Sequence, residues 1–398
     1  MPSPLIPVDE AIAAIEDRAG LLVGVETVSL INAQGRYLAE DVVAAINVPP
    51  HDNSAMDGYA VRASDVQVGQ KMPVSDRIPA GHPGKPLTPG TAARIFTGAP
   101  IPQNADAVII QEDAVALGDE VEFNVVPKVR AHIRDAGQDI RKGSVVLAKG
   151  RRIRPQDIGL LASVGCAEVA VFERLKVGVM STGDELIDPP APLQPGQIYN
   201  SNHYVLQTLL HQLGMQPVDL GRVADTPEAT EAALRQGAAD AHCILSSGGV
   251  SVGDEDHVKA AIEKLGALEL WRLAIKPGKP LAFGRVLETP LFGLPGNPVS
   301  GFVTFLLIAR RYLLKCQGGN ELDLNIIHAR AGFAIEGGSR REYIRVQLEN
   351  SNNHTVALDF ANQGSGVMSS LSWAHGLAEI EIGRTIQPGD PVKVYLLP

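Results

Sequence analysis

The spacing of apolar residues changes several times along the chain, and each change predicts a different kind of element. Val8, Ala11, Ile12 and Ile15 recur at helical spacing after Pro7, which predicts a short amphipathic helix ending near Gly20. Between residues 25 and 149 the texture turns to short β-branched runs, at 25–30, 107–110 and 121–126, punctuated by Gly and Pro. That predicts a mostly β region. Helical spacing returns at 156–165. From Lys176 onward, strand-length apolar runs at 177–180, 218–223, 241–245 and 268–274 alternate with helical stretches at 200–213, after Asp225 or Thr226, and at 257–265. A further strand leads through Leu294-Pro295-Gly296-Asn297-Pro298-Val299-Ser300 into a long apolar helix. Such alternation predicts a doubly wound, mainly parallel α/β sheet with helices on both faces. After Gly318, period-two alternation at 342–348, 355–360, 379–382 and 391–397 predicts a small C-terminal β domain.

Composition removes several function classes. The 398 residues suffice for two to four domains, and 35 Lys and Arg against 45 Asp and Glu leave a formal charge of −10. No basic cluster marks a nucleic-acid surface. Cys166, Cys243 and Cys316 lie too far apart for a disulfide framework or a closely spaced zinc site, and read as core thiols of a reducing compartment. The N-terminus lacks a basic segment before an apolar core, and the run at 302–314 is broken by Arg310 and Arg311. A cytoplasmic protein without membrane association is expected.

The densest candidate chemistry is Ser246-Ser247-Gly248-Gly249-Val250-Ser251-Val252-Gly253-Asp254-Glu255-Asp256, a strand-to-helix loop. Its uncovered backbone N–H groups and the helix dipole favour an oxyanion. The three acids at its end are ordinary helix-start chemistry; beside a bound anion they instead call for a bridging hard cation such as Mg²⁺. Ligands of such sheets sit beyond the carboxyl ends of the strands. Thr182-Gly183-Asp184-Glu185, Asp225, the glycine loop and Lys276-Pro277-Gly278-Lys279 all fall there, so one crevice can collect them. Two ammonium groups bracketing Pro277-Gly278 can be solvated, or can balance charge on oxyanions. On turn chemistry alone, Asp57-Gly58 and residues 137–143 read as tight turns. Gly249-Val250-Ser251-Val252-Gly253 also matches a nucleophile elbow, but the histidines that follow it, His257 apart, are His328, His354 and His375 of the β-rich tail. Neither a dinucleotide fingerprint nor a Walker lysine is present.

Six motifs in order, running nearly end to end, together resemble one family. They are Ser54-Ala55-Met56-Asp57-Gly58-Tyr59-Ala60, Phe96-Thr97-Gly98-Ala99-Pro100, Ser181-Thr182-Gly183-Asp184-Glu185-Leu186, Ser247-Gly248-Gly249-Val250-Ser251-Val252-Gly253, Lys276-Pro277-Gly278-Lys279-Pro280 and Leu294-Pro295-Gly296-Asn297-Pro298. The set is similar to the molybdopterin molybdenumtransferases, relatives of the gephyrin E domain. The resemblance implies insertion of molybdenum from molybdate into adenylylated molybdopterin, with release of AMP and assistance from Mg²⁺. It implies catalytic roles for Asp57, Glu185, Asp225, Asp256, Lys276 and Lys279, with Glu185, Asp225 and Asp256 as metal ligands. Substrate contacts are expected from Thr97, Asp139, Thr182, Gly183, Ser247, Gly248, Gly249, Ser251, Gly253, Pro295, Pro298, Ser300, Arg345 and Ser365, with Ser369 a further molybdate candidate.

The resemblance further implies an elongated, four-part subunit: 1–25 with 145–172 as a helical linking part, 26–144 mostly β, 173–318 of molybdopterin-binding α/β type, and 319–398 as the C-terminal β domain. In it the first helix packs with residues near 150 to 172. The active cleft joins the α/β domain to the β domain of a second copy in a homodimer. A separate adenylyltransferase supplies the substrate, and apo-molybdoenzymes receive the product. Three alternatives stay open from the residues: pterin adenylylation, a Ser251 hydrolase, and a non-catalytic scaffold.

Overall fold

The computed structural model describes residues 5–248, 257–351 and 354–398. Its organising element is a six-stranded sheet with the order Gln216–Val223, Lys176–Thr182, Cys243–Ser247, Thr289–Leu294, Pro280–Val286, Gly266–Arg272. The first four strands are mutually parallel, and Pro280–Val286 alone runs against the rest. Alternate residues of each central strand enter different cores, because both faces are covered. Val177, Val179, Leu245, Phe292 and Leu294 pack with the helix Ser201–Gln212 and the long helix that begins at Pro298. Met180, Ile244 and Leu291 pack with the helices Pro227–Asp240 and His257–Leu265. Near-continuous apolar strands are what a doubly covered parallel sheet requires.

One feature departs from the expected strand–helix alternation. The run at 268–274 belongs to the edge strand Gly266–Arg272, separated from its parallel relatives by Pro280–Val286. The hairpin that inserts this strand turns on Leu287 and Glu288, with φ of 47° and 72°. Such two-residue turns normally announce themselves with Asn-Gly or Asp-Gly. Leu-Glu carries no such signal, so the hairpin was illegible. The edge strand nevertheless points the same way as the parallel set, so residues 276–279 still lie at the carboxyl edge.

The first helix, Val8–Asp17, also departs from the implied packing. It lies on the long helix, with Val8, Ala11 and Ile15 in one core with Phe305, Leu306 and Tyr312; from residues 150–172, Phe172 alone joins that core. Polar contacts fix the placement: Arg311 pairs with Glu16, Lys315 donates to the Glu16 carbonyl at 2.7 Å, and Arg341 grips Asp9 through two bonds of 2.8 and 2.7 Å. The strand Glu168–Phe172 pairs instead with Val25–Ser29.

Two further β bodies flank the sheet. Residues 58–123 form a six-stranded sheet ordered Ala107–Ile110, Gly58–Val61, Ala92–Ile95, Lys71–Ile78, Glu120–Phe123, Ala114–Leu117. Near the C-terminus, Arg341–Ser351, His354–Asp359, Ile326–Ala331, Pro391–Leu396 and Gly376–Ile380 pair in a ring, closed because Arg341–Ser351 also pairs with Gly376–Ile380. Ile275–Lys276 of the α/β domain adds to this ring in parallel with Arg341 and Glu342, which stitches the barrel to the carboxyl edge of the central sheet. Among the described residues no helix is long and apolar enough to cross a membrane.

Candidate active site

Strand order reverses between Lys176–Thr182 and Cys243–Ser247, because the chain leaves the first strand toward one edge and returns to the other side of it. A crevice opens at such a switch point. Here its walls are Thr182 and Gly248. Gly248 has φ of 90°, and a side chain on it would place Cβ 2.9 Å from the Thr182 carbonyl oxygen, so glycine is required by conformation and by space. Its N–H donates to the Leu294 carbonyl at 3.1 Å, drawing a third strand end into the crevice. Ser181 and Thr182 are buried with hydroxyls that lack a partner among the described residues.

Asn202, in the first turn of the helix Ser201–Gln212, was not singled out in the sequence. Its Nδ2 donates to Ser247 Oγ and to the Gly296 carbonyl, each at 2.8 Å. It therefore ties the strand that enters the glycine loop to the loop holding Pro295 and Pro298. Its only sequence signal was a polar residue near a helix start at a strand end. Pro298 opens the long helix, and Ser300 in its first turn is buried. Gly249, Ser251, Gly253 and Asp256 lie outside the described residues.

The acids sit around the rim. Asp184 Oδ1 accepts the Asp225 backbone N–H at 3.4 Å, linking the ends of two neighbouring strands, and Asp184, Glu185 and Asp225 are all exposed. Glu185 folds back over Gly183, where an added Cβ would stand 2.5 Å from Glu185 Oε2. Among the described residues no group of three metal-type side chains is assembled. The donor set on the rim is hard carboxylate oxygen at low count, which suits a cation such as Mg²⁺ that completes its shell with phosphate oxygens and water.

The two lysines are not equivalent. Lys276 Nζ pairs with Glu342 Oε2 of the barrel at 2.9 Å. Lys279 has no ion-pair partner among the described residues. The turn between them is pressed onto the long helix: a Cβ on Gly278 would meet the buried Thr304 hydroxyl, unpartnered among the described residues, at 2.4 Å and the Ser300 carbonyl at 3.4 Å. The barrel also delivers Arg345 and Ser365 to this neighbourhood. The Ser365 carbonyl accepts the Val299 N–H at 3.0 Å, seating residue 365 on the start of the long helix. Arg345, 1% exposed, donates from Nε to Ser370 Oγ at 2.9 Å and from NH2 to the Gly364 carbonyl at 3.0 Å. Burial pulls its guanidinium down to about 10, still charged at neutral pH. Ser369 begins the short helix Ser369–Trp373 beside that bond.

Asp57 and Thr97 form a second polar pair in the β domain, with the loop bearing Asp139 tied to the same segment. Gly58 pairs with Ile95, which sets Asp57 beside Thr97. Asp57 Oδ1 accepts both the Thr97 N–H and its hydroxyl at 2.8 Å, and these two bonds hold the carboxyl below its ordinary range. Gly58 is again a spatial requirement, since an added Cβ would fall 1.9 Å from the Ile109 carbonyl oxygen. Asp52, which the sequence did not mark, receives Arg130 at 2.7 Å and the Ala136 N–H at 2.8 Å, and so ties the Asp57 segment to the loop bearing Asp139. A cavity of about 630 Å³ lies against Asp52, His51, Gly98 and Pro100. No hydrogen bond or ion pair among the described residues joins this cluster to the α/β strand ends. His328 and His354 lie on barrel strands, and His375 Nδ1 accepts the Leu348 N–H at 3.1 Å; residue 251, the proposed elbow, lies outside the described residues.

Comparison with known proteins matches this layout part by part. Residues 6–165 fit the MoeA N-terminal region, domains I and II; 178–315 fit the probable molybdopterin binding domain; and 328–397 fit the MoeA C-terminal region, domain IV. A molybdopterin molybdenumtransferase of Haemophilus influenzae is 43% identical over 320 residues, covering 80% of this chain and 79% of its own. One from Nostoc is 36% identical over 392 residues, 94% of this chain and 89% of its own. The crystal structure of a molybdopterin biosynthesis MoeA protein from Pyrococcus horikoshii superposes with a TM-score of 0.86 at 31% identity, covering 99% of this chain and all of its own. On these grounds the chain belongs to the molybdopterin molybdenumtransferase family.

Proposed function

We propose that the chain is the transferase that inserts molybdenum from molybdate into adenylylated molybdopterin, releasing AMP, in molybdenum cofactor biosynthesis. The observation that supports this reading is the crevice at the strand-order reversal, with the buried Ser181 and Thr182 hydroxyls unpartnered among the described residues and exposed carboxylates at 184, 185 and 225 beside it, while the Lys276–Lys279 turn and residue 365 each rest on the first turns of the helix that leaves a neighbouring strand. A substrate with a phosphoanhydride and a co-substrate that is an oxyanion need both kinds of partner at once. Backbone N–H groups and hydroxyls at the crevice orient the pterin phosphate. Lys279 and Arg345 face molybdate as fixed cations, and Lys276 joins them when its contact with Glu342 opens.

Asp225 and Glu185, with Asp256, are the residues that would hold Mg²⁺. When bound, the ion neutralises charge on the phosphate oxygens. The β domain supplies Asp57, Thr97 and Asp139 from residues 26–144, the α/β domain the crevice from 173–318, and the barrel Arg345 and Ser365 from 319–398; residues 1–25 and 145–172 link these parts. The Asp57 cluster, carried by a β body separate from the α/β sheet, serves the crevice of a second copy in a homodimer. Substrate comes from a separate adenylyltransferase and product goes to apo-molybdoenzymes, in the cytoplasm.

Mixing subunits tests the shared site. An Asp57→Asn chain and a Lys279→Ala chain, each inactive alone, are expected to regain part of the molybdenum-inserting activity after verified subunit exchange, through one intact composite site. A mixed dimer as inactive as its parents contradicts the arrangement.

A further inference from the structure

Glu342 stands on the barrel strand Arg341–Ser351, and its side chain is 8% exposed, whereas that of Lys276 is 53% exposed. The carboxylate is thus fixed and the lysine tail is free to move. Their 2.9 Å contact lies across the parallel pairing of Lys276 with Glu342 that joins barrel and α/β domain, and Arg340 NH1 donates to the Ile275 carbonyl at 3.1 Å in the same seam. Across the turn Lys279 carries no such partner among the described residues. Of two ammonium groups at one turn, then, one is held by an internal anion and the other has no ion pair among the described residues.

We propose that Glu342 is a positioning residue that holds Lys276 back from the crevice until an oxyanion displaces it, so that it sets the molybdate concentration at which the site fills. The inference rests on the reading that Lys276 and Lys279 face molybdate. Its logic is charge competition. An anion approaching Lys276 meets the Glu342 carboxylate at the same ammonium, and the two negative groups repel each other. Glu342 is confined by the barrel and cannot swing away, so Lys276 reaches the anion only as it leaves the carboxylate. An anion therefore recruits Lys276 only when its own attraction exceeds that of Glu342. A tetrahedral dianion meets that condition more readily than a monoanion, and its arrival also loosens the ionic part of the seam between the two domains.

The test is the molybdate concentration giving half-maximal molybdenum insertion, measured on the full-length dimer, alongside equilibrium dialysis with molybdate alone. Glu342→Gln keeps the shape and removes the charge. It is expected to lower the molybdate requirement roughly two- to fivefold, the size of a partly exposed ion pair expressed as affinity. Glu379→Gln, in the same barrel beside Arg341 and Lys393, controls for a simple change in net charge or barrel packing and is expected to leave the requirement unmoved. Lys276→Gln is expected to raise it, and Lys276→Gln with Glu342→Gln is expected to match Lys276→Gln alone. If the lysine variants raise the requirement while Glu342→Gln leaves it unchanged or raises it, the holding role is wrong and the molybdate reading survives. If neither the lysine variants nor Glu342→Gln shift it, both fall.

Discussion

Asn202 donates through one nitrogen to Ser247 Oγ and to the Gly296 carbonyl, both at 2.8 Å, and so fixes the distance between the glycine loop and the loop that starts the long helix. Asn202→Asp replaces the donor with a carboxylate, which cannot bond the Gly296 carbonyl and keeps the Ser247 contact only by having that hydroxyl turn to donate. A misplacement of order 1 Å at a site of this kind costs roughly 10²-fold in rate. Steady-state assays of Asn202→Asp are therefore expected to show turnover falling by about that factor, with a loss in stability of about 1–3 kcal/mol for the unpaired groups. Turnover within twofold of the parent protein would remove Asn202 from the positioning machinery.

Asp57 owes its low proton affinity first to the Thr97 N–H and then to the Thr97 hydroxyl. Its carboxylate accordingly stays ionised as pH falls below the ordinary aspartate range. Thr97→Val removes the hydroxyl and keeps the backbone donor, so the acid limb of the activity profile is expected to move to higher pH, and Thr97→Ser to restore it. A limb that stays in place in Thr97→Val would show that Asp57 is not the group titrating there.

Much of this arrangement was legible from residue order. The alternation from Lys176 onward specified the α/β sheet because both faces are covered and each strand reads as an apolar run. The close approaches at Gly58, Gly183 and Gly248 come from the fold, since sequence alone reads Asp57-Gly58 as a plain turn and the glycine loop as a row of uncovered N–H donors. What stayed hidden depended on partners far away in the chain. Glu342 is an ordinary strand glutamate until the barrel meets Ile275–Lys276, 66 residues earlier by numbering. Asp52 gains its role only through Arg130 and Ala136. The first helix left the implied neighbour because its apolar face matches the long helix, and its acids find Arg311 and Arg341 there.

Arg345 is a guanidinium site and not merely a positive one. Arg345→Lys keeps the charge and gives up the fixed fork that reaches Ser370 Oγ and the Gly364 carbonyl together. Denaturant unfolding is expected to show a loss of about 1–3 kcal/mol from buried groups left unpaired. Molybdenum insertion is expected to fall further than stability alone explains, since residue 365 follows the released carbonyl. Full activity in Arg345→Lys would reduce Arg345 to a source of charge.

Stability near the domain junction carries its own acid signature. Burial works to raise the proton affinity of Asp157, but hydrogen bonds from the Arg154 side chain and N–H and from Arg151 outweigh it and hold the carboxyl at about 2, against an ordinary 3.8. Because the folded value is the lower one, this stabilisation is complete above pH 3.8 and is lost as pH falls toward 2. Asp157→Asn is expected to lower the unfolding free energy at pH 7 by about 1–3 kcal/mol, with the gap to the parent protein narrowing in the acid range. A gap independent of pH would mean the charge is not the stabilising feature.

The central claim is tested most directly by the stoichiometry of a single reaction. Purified full-length protein is mixed with adenylylated molybdopterin, Mg²⁺ and increasing molybdate, and AMP released and molybdenum bound to the pterin product are counted together, with activation of an apo-molybdoenzyme as the functional readout. The account predicts AMP and incorporated molybdenum in equal amounts, both rising with molybdate and both depressed in Lys279→Ala. Synthesis of the adenylate from ATP and molybdopterin, or AMP release that proceeds without molybdenum appearing in the product at any molybdate concentration, would contradict it.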